Sequence, residues 1–466
     1  MRPRGLTVFA ALALCVSVSC RRAPARTSAL DDDILRSPGA WLREEPVRLL
    51  KDYVQLDTTE SRGEREGVEF LRRIFECEGI EFEILCPRPQ RCNLLARLPG
   101  RHRGNGLLLL NHIDVAPVNP LAWTESHPFE GKIKGGYLYG RGAYDMKSLA
   151  LAQALGMRDL KRRGIVPQYD ILFLGEADEE IGQRWGSRWL LDNRPELLAG
   201  VRQVLNEGGV DETVLREVRF LGLETLQAGY GLAELETPKK TSLQELAARW
   251  PRLRSPVVEP DPQVVEGFDM LANHLVSPLT DPLRHLDRVR RNPQELTLLP
   301  DRYGSFLEAR ILWSPLYQTS PVPDSPFRGY VVISTPPGIS PTPYLQEILE
   351  DARRHSEIRV VHSLSSGPTA SSPYPTAFTT LLQTVTQARY PGVPFGPLPT
   401  FGGVTTSIYF RQRGIATYGY SPIPMNITDQ ARRHNADERI FLRDYLNGVA
   451  LYSEVLTAIA LDPPAQ

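Results

Sequence analysis

Five short segments of this chain bring histidines and carboxylates to the ends of apolar runs or into turns. The first, Leu110-Asn111-His112-Ile113-Asp114-Val115, releases a histidine from a leucine-rich run with an aspartate two positions on. In extended backbone that spacing turns both side chains the same way, so the Asp114 carboxylate is expected to take one imidazole N–H and fix the tautomer of His112. The second, Gly140-Arg141-Gly142-Ala143-Tyr144-Asp145-Met146-Lys147, delivers Asp145 from a glycine-rich turn ahead of a helical pattern, where local evidence alone favours a helix cap. The third, Glu176-Ala177-Asp178-Glu179-Glu180-Ile181-Gly182, crowds four carboxylates behind another apolar run. Unpaired, such charges repel one another unless cations neutralise them. Glu207-Gly208-Gly209 and the stretch from His434 to Glu438 complete the set. Taken singly these are solvated loop acids and a surface histidine; together their nitrogen and oxygen donors suit divalent cations.

The elements that must position these residues follow from periodicity. Val47, Leu50 and Val54, and then Val68, Leu71 and Phe75, recur at i, i+3 and i+7, marking two amphipathic helices. Strands are expected at Glu81 to Leu85, Asn93 to Leu98, Leu107 to Asn111, Tyr169 to Leu174 and Gln203 to Leu205, with a helix from Met146 to Arg163. This alternation describes an α/β domain with a mostly parallel central sheet. From about Phe220 to Ser371 the chain turns proline- and arginine-rich, with a broken helix at Leu243 to Arg249 and strands at Ser305 to Trp313 and Tyr330 to Ser334. The α/β texture then resumes with a helix at Thr376 to Tyr390, a strand at Ala416 to Tyr420 and a closing helix from Leu442 to Ala460. The expected boundaries are 1–29 for a leader, 30–221 and 372–466 for the main domain, and 222–371 for a smaller inserted one.

A chain of 466 residues suits two cores, and 41% hydrophobic with 23% charged residues is the composition of an ordinary globular protein. With 54 basic against 55 acidic residues, no overall field favours nucleic acid. Arg2 and Arg4 precede an apolar run from Leu6 to Val18, which is short for a membrane span and suits a secretory signal. Val18-Ser19-Cys20-Arg21 resembles a lipobox, although Ser17 stands where an aliphatic residue is usual. The expectation is export, either as a periplasmic or membrane-anchored lipoprotein lipidated at Cys20 or as a secreted protein cleaved near Ser19 or Ala25. Cys86 and Cys92 flank a turn between two strand-like runs, so a bridge across a hairpin is feasible.

These segments together resemble the M20 metallopeptidases, a family of glutamate carboxypeptidases, aminoacylases, succinyl-diaminopimelate desuccinylases and carboxypeptidase S-like enzymes. The resemblance is carried by His112-x-Asp114, Trp123 with Pro128-Phe129, Gly140-Arg141-Gly142-Ala143-x-Asp145-Met146-Lys147, Glu179-Glu180-x-Gly182, Glu207-Gly208-Gly209 and His434-x-x-x-Glu438, in family order. It implies a zinc-peptidase-like catalytic domain interrupted by an α+β lid through which two copies could pair. It implies two divalent ions, zinc or alternatively cobalt or manganese: His112 and Glu207 on one, Glu180 and His434 on the other, Asp145 between them. Three carboxylates against two divalent ions leave one positive charge for an anion such as hydroxide. Glu179, uncommitted to metal, then matches the general base, with Asp114 as the residue orienting His112. Small peptides or N-acyl amino acids are the implied substrates.

The sequence departs from the family in the lid and near the C-terminus. Leu235-Glu236-Thr237-Pro238-Lys239-Lys240-Thr241-Ser242 stands where a Gly-Gly-His motif is usual; His274, His285, Lys239 and Lys240 are the residues that could compensate. Thr297-Leu298-Leu299-Pro300 replaces an Asn-x-x-Pro, Arg310 is kept, and Thr406 and Ile408 stand where Asp and Arg are usual. Two rival readings follow from these changes: a metal-binding protein that holds peptide but turns over weakly, or a phosphoesterase on a similar metal pair.

Overall fold

The computed structural model describes residues 37–214, 217–274, 278–318, 324–400 and 403–462. The leader and Cys20 lie outside the described residues. The first half of the chain contains β1 (Glu81–Arg88), β2 (Arg91–Leu98), β3 (His102–His112), β4 (Lys132–Lys134), β5 (Tyr137–Tyr139), β6 (Tyr169–Glu176), β7 (Val201–Val214) and β8 (Glu217–Leu223). The second half contains β9 (Gly229–Thr237), β10 (Arg310–Trp313), β11 (Tyr317–Gln318), β12 (Phe327–Thr335), β13 (Arg359–Ser365), β14 (Phe395–Pro397), β15 (Ala416–Asn426) and β16 (Arg439–Phe441).

The large sheet runs β1-β2-β6-β3-β7-β8-β14, with β15 also paired to β7. Its centre is parallel, β3 lying between β6 and β7 and β15 running with β7, while β1, β2 and β8 add antiparallel pairings. The leucine run is explained by this central place. Leu107 and Leu109 join a core formed with the helices Lys147–Arg162 and Leu442–Leu461, whereas Leu108 and Leu110 join a second core on the opposite face with Leu190, Ile408 and Phe410. Successive side chains alternate faces, so a strand covered on both sides is apolar throughout. Each such leucine contributes about 1.5–3 kcal/mol by leaving water. The expected helices near 47–54 and 68–75 are Glu45–Val54 and Arg65–Cys77, and Cys86 and Cys92 are joined across the β1–β2 hairpin.

The smaller sheet, β10-β12-β9-β13 with β11 on β12, is antiparallel. β9 alternates strictly between buried and half-buried positions. Helices Lys240–Arg249 and Thr342–Arg353 contribute to the core that includes Ala233, Leu235, Val331 and Ile333. A helical insert from Pro262–His274 to Asp301–Gly304 builds a further core around Phe268 and Phe306 that reaches Phe220 and Leu398. Three expectations are corrected. The strand foreseen at Ser305 to Trp313 is only Arg310–Trp313, because Pro300 leads into the short helix Asp301–Gly304. Gln203 to Leu205 extends to Val214, and Ala416 to Tyr420 extends to Asn426, the two strands running side by side with register shifts.

Candidate active site

The C-terminal ends of β3 and β6 and the middle of β7 meet three loops here. His112 is the last residue of β3, so the extended geometry expected of the His112–Asp114 pair ends before Asp114. The Asp114 backbone carbonyl, not its carboxylate, accepts from His112 Nδ1 at 2.8 Å. The tautomer is fixed as anticipated, with Nε2 facing inward, but by the main chain. The Asp114 carboxylate instead accepts the backbone N–H groups of Glu179 and Glu180 at 3.1 and 2.9 Å, bracing the acidic loop.

Asp145 does not cap the following helix. Met146 occupies the N-cap position without a side-chain cap bond. Asp145 instead turns inward, Oδ1 lying 3.1 Å from His112 Nε2 and Oδ2 3.0 Å from His434 Nε2. Its turn depends on Gly142, whose φ of +80° and whose missing Cβ leave room for Val115 Cγ1. Glu438, buried, accepts the N–H groups of Tyr144 and Asp145 and pairs with Arg141, which also donates to the carbonyls of Ala116 and Pro117. One buried ion pair thus ties together the loops carrying His112, Asp145 and His434. Lys147, also buried, donates to the carbonyls of Tyr53 and Leu56, and burial pushes its ammonium down to about 7.

Glu207 lies within β7 and not after it, a second departure from the sequence reading. Gly209 allows this, since a Cβ there would meet the carbonyl oxygens of Gly222 and Gly419 at 2.3 and 2.6 Å. Glu207 Oε1 is 3.8 Å from His112 Nε2, and Glu180 Oε1 is 3.2 Å from His434 Nε2. The structure therefore brings His112, Asp145, Glu179, Glu180, Glu207 and His434 into one cluster. Donor atoms of His112, Asp145 and Glu180 lie within 4.8 Å of one another, as do those of His112, Glu179 and Glu207.

The electrostatics are those of a site short of positive charge. Burial, then the neighbouring Asp145 charge, pushes Glu207 up to about 8. Glu179 is raised well above the usual carboxylate range by burial and by Glu207. Burial opposes the His434 imidazolium, yet the hydrogen bond to Asp145 and the Glu180 carboxylate 3.2 Å away outweigh it and raise His434 to about 10. Glu180 Oε1 is buried without a hydrogen-bond partner. Mixed imidazole and carboxylate donors, one of them orphaned, fit divalent metal.

A family model for peptidase family M20/M25/M40 matches residues 108–458. The chain belongs to this family. It is 36% identical over 153 residues to a probable succinyl-diaminopimelate desuccinylase of Staphylococcus aureus, covering 32% of this chain and 36% of that protein. It thus spans about a third of the length of the desuccinylases it matches. It is 24% identical over 448 residues to the N-fatty-acyl-amino acid synthase/hydrolase PM20D1 of Xenopus tropicalis, 85% of this chain and 82% of that one. In fold it is similar to the M20 family metallo-carboxypeptidase Sso-CP2 from Sulfolobus solfataricus, with a TM-score of 0.67 at 16% identity over 89% of this chain and 98% of that chain.

In the smaller domain, Arg310 and the described candidates for the missing histidine's role have partners of their own. Arg310 is held by the Leu296 carbonyl at 2.7 Å and by Glu308 at 3.0 Å. His285 pairs with Asp281, Lys239 lies beside Glu357, and the His274 side chain is outside the described residues. A cavity of about 430 Å³ adjoins Asp145 and Glu207, walled by Phe220, Leu271, Leu398, Ile423 and Met425 and edged by Arg302 and Arg433. Thr406 donates to the buried Glu176, a place where a second carboxylate would be repelled, and Ile408 is core. Motif spacing exposed the metal-ligand candidates, while Arg302, Arg433, Gln183 and Tyr409 carried no local signal.

Proposed function

We propose that this chain is an exported two-metal amide hydrolase that cleaves N-acyl amino acids bearing apolar acyl groups. The observation that carries the reading is the cavity beside Asp145 and Glu207, whose wall is predominantly apolar and built around Phe220, Leu271, Leu398, Ile423 and Met425. The likeness to an N-fatty-acyl-amino acid synthase/hydrolase along most of both chains supports it. Arg2, Arg4, the apolar run to Val18 and Cys20 support export.

His112 with Glu207, and His434 with Glu180, would each hold one ion, with Asp145 shared through its two oxygens. Bound there, zinc supplies a Lewis acid for the amide carbonyl and acidifies the attacking water. Glu179 takes the proton from that water and delivers it to the leaving amine as the C–N bond breaks. Arg302 and Arg433 supply positive charge for the amino-acid carboxylate.

The test is a series of N-acyl-alanines from acetyl to hexadecanoyl, beside dipeptides and phosphoesters, with zinc per chain measured and a chelator control. Expected is chelator-sensitive hydrolysis whose kcat/KM rises about fourfold per added methylene until the cavity fills. Faster turnover of dipeptides than of any acyl-alanine would overturn the substrate assignment, and two bound metals without any amide turnover would favour the weakly catalytic peptide-binding reading.

A further inference from the structure

One oxygen of Glu179 is already engaged. Gln183 Nε2 donates to Glu179 Oε1 at 2.9 Å, and Gln183 Oε1 accepts from the Tyr409 hydroxyl at 3.0 Å. All three side chains are buried, at 9%, 3% and 5% exposure. An ionised carboxylate only accepts, so the carboxamide must present its NH2 to Glu179 and its oxygen to Tyr409. The backbone is shaped to place it there. Gln183 has φ +53°, a region a glutamine rarely adopts, and Asp178, itself at φ +66°, holds the turn by accepting Gln183 N at its carbonyl (2.6 Å) and Arg184 N at its carboxylate (2.8 Å). Tyr409 comes from the short helix Ser407–Arg411, 226 positions along the chain, directly after Thr406, which grips Glu176.

We propose that Gln183 and Tyr409 form a positioning arm that sets the rotation of the Glu179 carboxylate, leaving Oε2 to face the attacking water. The inference rests on Glu179 as the general base. Neither residue gives or takes a proton. The proton moves from water to Glu179 Oε2 and on to the amine nitrogen, while the Gln183 N–H···Oε1 bond persists throughout. Tyr409 acts at one remove, by holding the amide that holds the carboxylate. Its separation in sequence from the acidic loop makes the C-terminal part of the chain a support for the base.

Gln183→Met keeps the side chain's bulk and removes both amide groups. With the best N-acyl-alanine of the series above, kcat is expected to fall about 10- to 100-fold while KM and zinc per chain stay at wild-type values, since a misplaced catalytic group costs rate and not binding. Tyr409→Phe should lower kcat about fivefold, as for one lost buried hydrogen bond. In the Gln183→Met background it should lower kcat no further, because the hydroxyl reaches Glu179 only through the amide. Wild-type kcat in Gln183→Met, losses that appear in KM or zinc content, or multiplicative effects in the double variant would each overturn the arm. Should Gln183→Met fail to fold, Tyr409→Phe carries the test, and unchanged kcat there counts against the proposal. Glu179→Gln, measured alongside, separates the two assignments: turnover retained in that variant removes the base itself, whereas its loss with a normal Gln183→Met removes only the arm.

Discussion

Glu438 accepts the backbone N–H of Asp145 at 3.2 Å across 293 positions of sequence. Its other oxygen pairs with Arg141, and both side chains are almost fully enclosed. The Asp145 turn is therefore held from outside by a buried ion pair. Glu438→Ala leaves the Arg141 guanidinium without a counter-charge and two N–H groups without an acceptor, and should destabilise the fold by about 3–5 kcal/mol. Glu438→Gln keeps an acceptor and should lose less. Urea unfolding and zinc retained after dialysis read both effects; wild-type values of both in Glu438→Ala would contradict the role.

Much of this geometry was legible in the sequence, and the exceptions share a cause. His112, Asp145, Glu179, Glu180 and His434 stood out because each sits at a strand end or a turn, where local pattern marks position. The leucines of β3 marked a doubly covered strand for the same reason. Glu207 was placed after its strand because Gly208-Gly209 reads as a turn, whereas here the glycines permit close approach of β8 and β15. The helical insert around Phe268 was missed because Pro262, Pro282, Pro293 and Pro300 break it into short pieces with little periodicity. The Asp114 carboxylate's hold on Glu179 and Glu180, and the contacts of Gln183 and Tyr409, are set by the tertiary fold, about which neighbouring residues carry no information.

Metal binding should release protons. In the metal-free chain His434 stands at about 10 and Glu207 at about 8, so at pH 7 both carry a proton that a ligand must shed. The sign follows: binding strengthens as pH rises toward 8 and weakens on acidification, by about tenfold per released proton per pH unit. Zinc titration calorimetry at pH 7 in two buffers of different ionisation enthalpy should show two or more protons released per chain. Identical heats in both buffers would exclude this.

Glu179 is buried beside Glu207 and Glu180, which together with burial hold its carboxyl well above the usual carboxylate range, and Gln183 is its hydrogen-bond partner. Glu179→Gln should therefore leave zinc content unchanged and reduce kcat by about 10²–10⁴-fold, the usual worth of a general base. Metal analysis and steady-state rates on one preparation decide it; a variant that loses zinc in step with activity would make Glu179 a ligand.

Arg411 and Glu224 form a second enclosed pair, bidentate at 2.8 and 2.6 Å, with Glu224 also accepting the Gly419 N–H beside Gly208. Arg411→Met strands the Glu224 carboxylate and should cost about 3–5 kcal/mol, whereas adding Glu224→Met should recover much of that loss, because an apolar pair needs no compensation. Chemical denaturation of the two variants tests it. Equal stability of single and double variants would show that the pair is not the reason for the loss.

Arg302 is exposed at the cavity edge, its guanidinium over the Tyr303 ring at 4.7 Å and without an ion-pair partner among the described residues. Arg310 cannot serve the same end, being bound to Leu296 and Glu308. On the proposed reading, a substrate carboxylate at the cavity edge would meet Arg302, together with Arg433, which lies 3.8 Å from Asp145 Oδ2. Arg302→Ala should raise KM about tenfold for N-acyl-alanines, the scale of one charged hydrogen bond. It should leave kcat unchanged, because the contact lies away from the reacting bond. For the corresponding N-acyl-alaninamides, which carry no charge to be gripped, KM should not move. A rise of equal size for acids and amides would assign Arg302 to the cavity's shape instead of to the carboxylate.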